Sequence, residues 1–240
     1  MKTLTKMYSL LFFLIFNNLA IARPVSSVYR ADSRAPSDVF SNGFHAWGTN
    51  INFNAHIQGV SGRRGTRDSA FIPTTSSLQA AERFSMDLLN VSPSQVSYIY
   101  HIRPTHNFYS ALTTIHYIYD FAGVRIPDSI RRVISEEQEY SAYQQIQPEL
   151  VRSVTIYTRL SDGTIRTSED LNPRYQPGST HSSDEPFTYA VSPSINVRPI
   201  QLMGSSRVNI NNEMPNNAAA LPSPSYTLHA FSCCVTHTEL

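Results

Sequence analysis

The apolar residues of this chain come in short stretches, some with the period of a strand and some with that of a helix, and this mixture limits the fold more than any other feature. Residues 96–102 alternate in polarity and end before Pro104, which predicts a strand. Residues 77–90 form the clearest helical stretch, because Ser77 can cap it and apolar side chains recur on one side, namely Leu78, Ala81, Phe84 and Leu88. We therefore predict an α+β fold with short strands, a few helices and long loops.

Other local patterns add elements around these two. Residues 28–30 are predicted to form a strand, and a second strand is predicted to begin at Phe71. The Asp162-Gly163 dipeptide lies between two extended stretches and predicts a β-hairpin. Residues 129–135 have a helical pattern, whereas the aromatic and apolar residues 108–121 fit no single element type.

The N-terminus is typical of an export signal. It combines basic residues, an apolar run at residues 7–16, and small residues at Ala20 and Ala22. Residues 1–22 are therefore predicted to be a secretory signal cleaved before Arg23. The apolar run is shorter than a transmembrane helix, and no later stretch is long enough. We expect a soluble protein secreted through the periplasm, with no transmembrane segment.

The rest of the chain fits one domain and a tail. An apolar fraction of 41% and an aromatic fraction of 11% are enough for a core. Residues 23–200 are predicted to be the folded domain, and the Pro-, Ser- and Asn-rich residues 201–240 an irregular C-terminal tail. The net charge of +1 excludes a strongly basic surface, so we expect no nucleic-acid partner.

Lysine is confined to the predicted signal. Lys2 and Lys6 are the only lysines, so the basic residues that follow are all arginine. Arginine keeps the charge but is not a ubiquitination site. One interpretation is selection for survival in a eukaryotic cytosol, and the alternative is a base-composition bias that replaces lysine by arginine.

The tail carries two further signals. Cys233 and Cys234 are adjacent, and their Cα atoms, about 3.8 Å apart, are too close for an ordinary disulfide. Either thiol is therefore a candidate for a bond to another chain. The final residues, 237–240, are His-Thr-Glu-Leu and resemble an endoplasmic-reticulum retrieval signal, although four residues also match by chance.

The candidate catalytic carboxylates are Glu137 and Glu139. On a strand, residues two apart project from the same face. Two neighbouring carboxylates can divide the work, one stabilising a cationic sugar and the other handling a proton. The alternative is a solvated acidic run, because residues 136–139 include Glu136 as well.

Three other side chains are candidates for binding. Arg30 lies on a predicted strand and carries a planar donor group that suits a diphosphate or a carboxylate. His56 could hydrogen-bond a ribose, and Trp47 could stack on a nicotinamide ring. The alternatives are a structural ion pair for Arg30, a surface or core histidine for His56, and core packing for Trp47.

Several collinear motifs resemble one family. The chain is similar to the catalytic A subunits of pertussis toxin, cholera toxin and heat-labile enterotoxin, which are bacterial mono-ADP-ribosyltransferase toxins, and most similar to pertussis-like subunits. The resemblance extends over roughly residues 26–170. Its motifs are residues 28–34, 38–48, 55–59, 69–76, 98–100, 107–109 and 137–142.

The resemblance implies an ADP-ribosyltransferase-type fold, in which two small, mostly antiparallel sheets flank an NAD cleft. It implies NAD as the substrate and no metal. Glu139 would stabilise the oxocarbenium-like state, and Glu137 would orient or deprotonate the acceptor. His56 and Arg30 complete the implied catalytic set. The implied NAD-binding residues are Arg30, Ala31, Asp32, Trp47, His56, Thr74 and Thr75.

The resemblance also implies partners. The implied acceptor is the α subunit of a host heterotrimeric G protein, reached after retrieval to the endoplasmic reticulum. Glu137 favours an arginine acceptor, with cysteine as the alternative. A B-subunit oligomer or another toxin chain, bound through Cys233 or Cys234, is a further expectation.

The sequence departs from the family pattern at two positions. Pro73 stands where the family has the first serine of a Ser-Thr-Ser segment that braces the catalytic glutamate, and Thr74 or Thr75 could take over that role. Gly62 replaces a cysteine that pertussis toxin pairs with its C-terminal region. Two alternatives to the transferase follow: an NAD glycohydrolase on the same scaffold, and a catalytically inactive, toxin-derived binding protein.

Overall fold

The computed structural model describes residues 22–62 and 65–191 of the 240-residue chain. The predicted tail at 201–240 and all but the last residue of the predicted signal lie outside these residues. The elements, in chain order, are β1 (Val28–Asp32), α1 (Pro36–Asn42), β2 (Phe44–His45), α2 (Phe53–Ile57), β3 (Phe71–Thr75), α3 (Leu78–Val91), β4 (Val96–Ile102), β5 (Phe108–Ser110), α4 (Ala111–Ala122), α5 (Asp128–Glu137), β6 (Glu139–Tyr143), β7 (Gln145–Ile146), β8 (Val151–Arg159) and β9 (Ile165–Leu171), with 3₁₀ turns at Pro148–Leu150 and Thr188–Val191.

Across residues 22–62 and 65–191, the strands form an antiparallel sheet of seven and a second sheet of two. The large sheet has the order β5-β6-β3-β1-β4-β8-β9, and β2 pairs with β7. The predicted α+β class and antiparallel pairing are confirmed, but the two sheets are unequal in size. One registered pair between β1 and β3, Tyr29 with Thr75, makes the large sheet continuous.

Local sequence signals explain where the elements begin. The predicted cap is confirmed: the Ser77 hydroxyl accepts a hydrogen bond from the Ala80 N–H at 3.2 Å. The Asp162-Gly163 hairpin is also confirmed, and Gly163 has a φ of 84°, which glycine adopts without strain. Residues 108–121 contain two elements because Ser110 ends β5 and caps α4, accepting from the Thr113 N–H at 3.2 Å.

Apolar packing on both faces of the sheet positions the site. Helices α2, α4 and α5 and Phe187 cover one face around Phe71, Ile115 and Ile134. On the other face Phe44, Tyr100 and Phe108 belong to a second cluster. Each fully buried side chain of this size contributes roughly 1.5–3 kcal/mol. In the described part of the chain, no helix has both the length and the apolar character needed to cross a bilayer.

Candidate active site

The two candidate carboxylates lie where helix α5 ends and strand β6 begins. Glu137 is the last residue of α5, and Glu139 is the first residue of β6. Gln138 between them has a left-handed φ of 46°. The expectation that both carboxylates project from one strand is therefore wrong, because the backbone changes from helix to strand between them. Both side chains are nevertheless buried, with 2% of Glu137 and 3% of Glu139 exposed.

Strand β3 holds this junction in place through its backbone. The Thr75 hydroxyl donates to the Glu137 carbonyl at 2.6 Å, and the Thr74 hydroxyl donates to the Tyr140 carbonyl. The Ser76 N–H donates to the Gln138 carbonyl at 3.1 Å. The two predicted threonines therefore fix the chain on each side of Glu139, and neither of these hydroxyl bonds goes to its carboxylate.

The Glu139 carboxylate is held by a histidine and a serine. Its Oε1 atom lies 3.0 Å from His56 Nε2 and accepts a hydrogen bond from the Ser141 hydroxyl. Ser141 lies opposite Pro73 in the pairing of β3 with β6. Pro73 has no hydroxyl to offer the carboxylate of Glu139. The residue paired with it on β6, Ser141, supplies a hydroxyl to that carboxylate instead.

Hydrogen bonds engage both ring nitrogens of His56. Its Nδ1 atom is 2.8 Å from the Ser69 hydroxyl oxygen, which accepts from the Phe71 N–H at 3.1 Å. Because Nε2 faces a carboxylate oxygen, a hydrogen on Nε2 donates to Glu139 in this arrangement, and Ser69 bonds the other ring nitrogen. The chain Ser69–His56–Glu139 is buried throughout.

Glu137 has a different environment from Glu139. Its Oε2 atom is buried without a hydrogen-bond partner among the described residues. Burial, followed by the neighbouring charges of Glu139 and Glu136, raises the pKa of Glu137 to about 9, although Arg83 acts in the opposite direction. Glu137 is therefore protonated at neutral pH. Two carboxyl groups two residues apart thus have different surroundings.

Arg30 belongs to a cluster of charges on β1 and just after it, in which Arg30 and Asp32 are buried. Its Nε atom donates to Asp32 at 3.1 Å and its Nη1 to the Pro73 carbonyl at 2.6 Å. Arg34 also binds Asp32, through its side-chain Nε at 3.0 Å and Nη2 at 2.9 Å. Burial alone would raise the pKa of Asp32, but the charges of Arg30 and Arg34 and the hydrogen bonds from Arg34 outweigh it and lower that pKa.

The large sheet opens beside Arg30. After the single pair at Tyr29 and Thr75, the register of β1 with β3 does not continue, and the guanidinium of Arg30 reaches across to Pro73. Trp47, which is 39% exposed, lines a cavity of about 20 Å³ at this opening together with Arg30 and Ser69. This space is far smaller than a dinucleotide. Ala31 is buried against α3 and lines neither this cavity nor the next.

A second, larger cavity of about 440 Å³ is lined in part by Glu139 and is within the usual size range of small-molecule sites. Its lining includes Glu139, Tyr140, Gln138, His116 and Arg131. The structure thus brings His56 and Glu139 into contact and Glu137 beside them, and it groups Arg30 with Asp32 and Trp47. The hydrogen-bonded series Ser69–His56–Glu139 connects the two cavities, because Ser69 lines the small cavity and Glu139 lines the large one.

Several residues of this site were not predicted. Ser141 follows Glu139 by two positions on β6 and therefore shares its face, so the strand period could have identified it. Arg34 and Ser69 lie at the ends of the motifs 28–34 and 69–76 but were given no role, and no local pattern points to His116 or Arg131.

Comparison with known proteins decides the family. A sequence profile described as pertussis toxin, subunit 1, matches residues 23–195. The chain belongs to the pertussis toxin subunit 1 family. It is 34% identical to pertussis toxin subunit 1 of Bordetella pertussis over 181 residues, which cover 69% of this chain and 66% of that protein. The match therefore spans slightly less than two thirds of that relative.

Two solved structures share the fold of this chain. The protein named EcPltA superposes with a TM-score of 0.59 at 30% sequence identity, over 67% of this chain and 93% of that one. Full-length CARDS toxin superposes with a TM-score of 0.53 at 26% identity, over 69% of this chain and 32% of that one. The CARDS sequence, from Mycoplasma pneumoniae, carries the description ADP-ribosylating toxin. Membership of the pertussis toxin subunit 1 family confirms the resemblance drawn from the motifs.

Proposed function

We propose that this chain is a secreted NAD–protein mono-ADP-ribosyltransferase that modifies a host protein. Membership of the pertussis toxin subunit 1 family supports the proposal, as does the description of CARDS as an ADP-ribosylating toxin. The observation that carries it is the buried chain Ser69–His56–Glu139, which places an oriented carboxylate at the wall of a 440 Å³ cavity. A carboxylate whose orientation is fixed by hydrogen bonds to a histidine and a serine is preorganised to stabilise a positive charge that develops next to it.

The proposed reaction begins with the bond between nicotinamide and its ribose. This bond breaks with its electron pair on the leaving nicotinamide, and the ribose acquires oxocarbenium character. Glu139 accepts a hydrogen bond from a ribose hydroxyl and stabilises that cation through its negative charge. His56 and Ser141 keep the carboxylate oriented, so little reorganisation is needed during the reaction.

Arg30 and Trp47 are proposed to hold NAD at the opening of the sheet. The hydrogen bonds of Arg30 to Asp32 and Pro73 fix its guanidinium plane, which suits a diphosphate. Trp47 is exposed enough to stack on an aromatic ring. Since the cavity between them is only about 20 Å³, binding of NAD requires these side chains to separate.

Glu137 is proposed to receive the proton of the acceptor. A base must be ionised, whereas the raised pKa of Glu137 keeps it protonated at neutral pH. A guanidinium group brought next to it would favour the ionised form by direct attraction. An arginine acceptor therefore helps to create the base that it needs, which favours arginine over cysteine. After proton transfer the acceptor nitrogen bonds to the ribose carbon.

The proposed context follows the family. We propose a host G-protein α subunit as the acceptor, export by the signal at residues 1–22, and retrieval through the host endoplasmic reticulum. A B-subunit oligomer or a second toxin chain, joined through Cys233 or Cys234, is proposed as the delivery partner. The name of the Bordetella relative, a numbered subunit, supports a multichain assembly.

Labelled NAD incubated with host-cell lysate tests the activity. Transfer predicts a labelled protein band, NAD hydrolysis alone predicts free ADP-ribose without a band, and an inactive protein predicts neither product. Glu139→Asp shortens the carboxylate and should lower transfer by at least about 100-fold, the usual effect of removing one electrostatic stabiliser. The matched control is Glu136→Asp, because Glu136 is exposed at the end of α5, three residues before Glu139.

The same assay separates the two carboxylates. Glu137→Gln should reduce transfer more than it reduces NAD hydrolysis, since water needs less help from a base than a protein acceptor does. Equal loss of both activities would contradict the role given to Glu137. Unchanged transfer in the Glu139→Asp chain would remove Glu139 from the mechanism.

A further inference from the structure

Strand β9 is the outer strand of the large sheet, and nothing in the described residues pairs with its free side. The strand covers Ile165–Leu171, and all seven of its residues are exposed. Proteins usually protect such edges with charged side chains, lysine above all, with proline or with a bulge. The sequence of β9 contains neither lysine nor proline, its pairing with β8 has no register shift, and its charges are those of Arg166, Glu169 and Asp170. An edge of this kind can pair with a strand whose charges are complementary.

The hydrogen bonds of the hairpin show which backbone groups are free. The Leu160 N–H donates to the Thr164 carbonyl at 2.8 Å, and the Asn172 N–H donates to the Arg152 carbonyl at 3.0 Å. Hydrogen-bonded and non-bonded positions alternate along an antiparallel pair. The even-numbered residues of β9 therefore bond to β8, and the N–H and C=O groups of residues 165, 167, 169 and 171 point away from the protein.

We propose that this edge pairs with the same edge of a second copy of the chain, forming an antiparallel dimer with a two-fold axis at Ser168. In this register Ile165 lies opposite Leu171 of the other copy, and Arg166 lies opposite Asp170. Both exposed apolar residues of β9, which are 42% and 74% exposed, then face each other. The symmetry makes every such pair occur twice.

Neighbouring registers are less favourable. Moving the axis to Glu169 places two Glu169 carboxylates opposite each other and puts Pro173, which has no N–H, opposite Ile165. Moving it to Thr167 places Glu169 opposite Ile165 and leaves Leu171 opposite Gly163. An axis that falls between two residues would place odd-numbered residues opposite even-numbered ones. The outward N–H and C=O groups of one strand would then meet residues whose N–H and C=O groups already bond to β8. The charges and apolar residues of β9 therefore complement only the register centred on Ser168.

The choice of a second copy as the occupant comes from this self-complementarity. A strand that evolved to receive a different protein has no reason to match its own reverse. Here positions 165, 166, 170 and 171 are apolar, basic, acidic and apolar. A second β9 that runs in the opposite direction therefore places apolar residues opposite apolar ones and basic residues opposite acidic ones. Added backbone hydrogen bonds supply affinity, and the side-chain pairs select the register.

Two charge-reversal variants test the proposal, and a double variant that restores the opposite charges tests whether dimerisation recovers. Sedimentation velocity of the full chain, with reductant present to exclude disulfide-linked species, should show a monomer–dimer equilibrium between micromolar and millimolar concentrations. Arg166→Glu and Asp170→Arg each create two like-charge pairs and should each weaken dimerisation by about tenfold or more. The double variant R166E/D170R restores opposite charges and should regain the wild-type constant.

Controls and a second measurement distinguish the alternatives. Arg132→Glu and Asp87→Arg make the same charge changes at exposed positions on α5 and α3 and should leave the equilibrium unchanged. Amide exchange at residues 165, 167, 169 and 171 should slow with protein concentration, while exchange at 166, 168 and 170 is slow throughout. A chain that stays monomeric, or a dimer that survives both single swaps, overturns the proposal. So does concentration-independent protection of the outward amides, which would mean that another part of the chain covers the edge.

Discussion

At the scale of single residues, two glutamates of the same junction are prepared for different tasks by what touches them. Glu139 receives hydrogen bonds from His56 and Ser141. Glu137 is as deeply buried but has an oxygen with no partner in the described structure. Hydrogen bonds therefore hold the Glu139 carboxylate in one orientation, whereas burial is the main cause of the raised pKa of Glu137.

The raised pKa of Glu137 predicts a dependence of stability on pH. The folded state binds this proton more tightly than the unfolded state, whose ordinary value is 4.5. Between that value and about 9, folding therefore loses stability as pH rises, by at most about 1.4 kcal/mol per pH unit. Glu137→Gln removes the ionisation, so the variant should gain stability relative to wild type from pH 6 to pH 8.

Urea unfolding at several pH values measures this difference. The exposed Glu136→Gln chain is the matched control and should keep most of the wild-type slope. Parallel stability curves for wild type and Glu137→Gln would mean that Glu137 is not protonated in the native protein.

At the scale of elements, the junction of α5 with β6 depends on one unusual backbone position. Gln138 adopts a φ of 46°, and its carbonyl accepts from the Ser76 N–H. Glycine adopts this conformation freely, whereas a β-branched residue is strongly disfavoured there. Gln138→Gly should therefore leave the fold at least as stable as wild type, and Gln138→Val should destabilise it by about 1–2 kcal/mol.

Chemical denaturation of both variants checks this prediction. Ser135→Val, at an exposed position of α5, controls for adding a β-branched residue nearby. If Gln138→Val were no less stable than Ser135→Val, the left-handed conformation would not constrain the junction.

The elements that the sequence predicted well are those with strong local signals. The cap at Ser77, the turn at Gly163 and the alternation of β4 each depend on neighbouring residues. The placement of Glu137 and Glu139 on one strand was wrong because a single left-handed residue separates a helix from a strand. Ser69 was missed because only the tertiary fold brings it to His56, thirteen residues away.

At the scale of the whole molecule, family motifs predicted which distant segments share a site, and composition alone could not have done so. The motifs around Arg30, His56 and Glu139 are far apart in sequence, but β3 lies between β1 and β6 in the sheet, and His56 reaches Glu139 from α2. What no motif conveyed is the arrangement of space: Arg30 and Trp47 line one small cavity, and Glu139 lines a separate, larger one.

The most direct test of the proposed NAD site is a crystal structure of the Glu139→Gln chain with NAD bound. We predict that the nicotinamide ribose lies against residue 139, that the diphosphate lies at Arg30, and that Trp47 has moved to admit the ligand. NAD bound away from both residue 139 and Arg30 would contradict it.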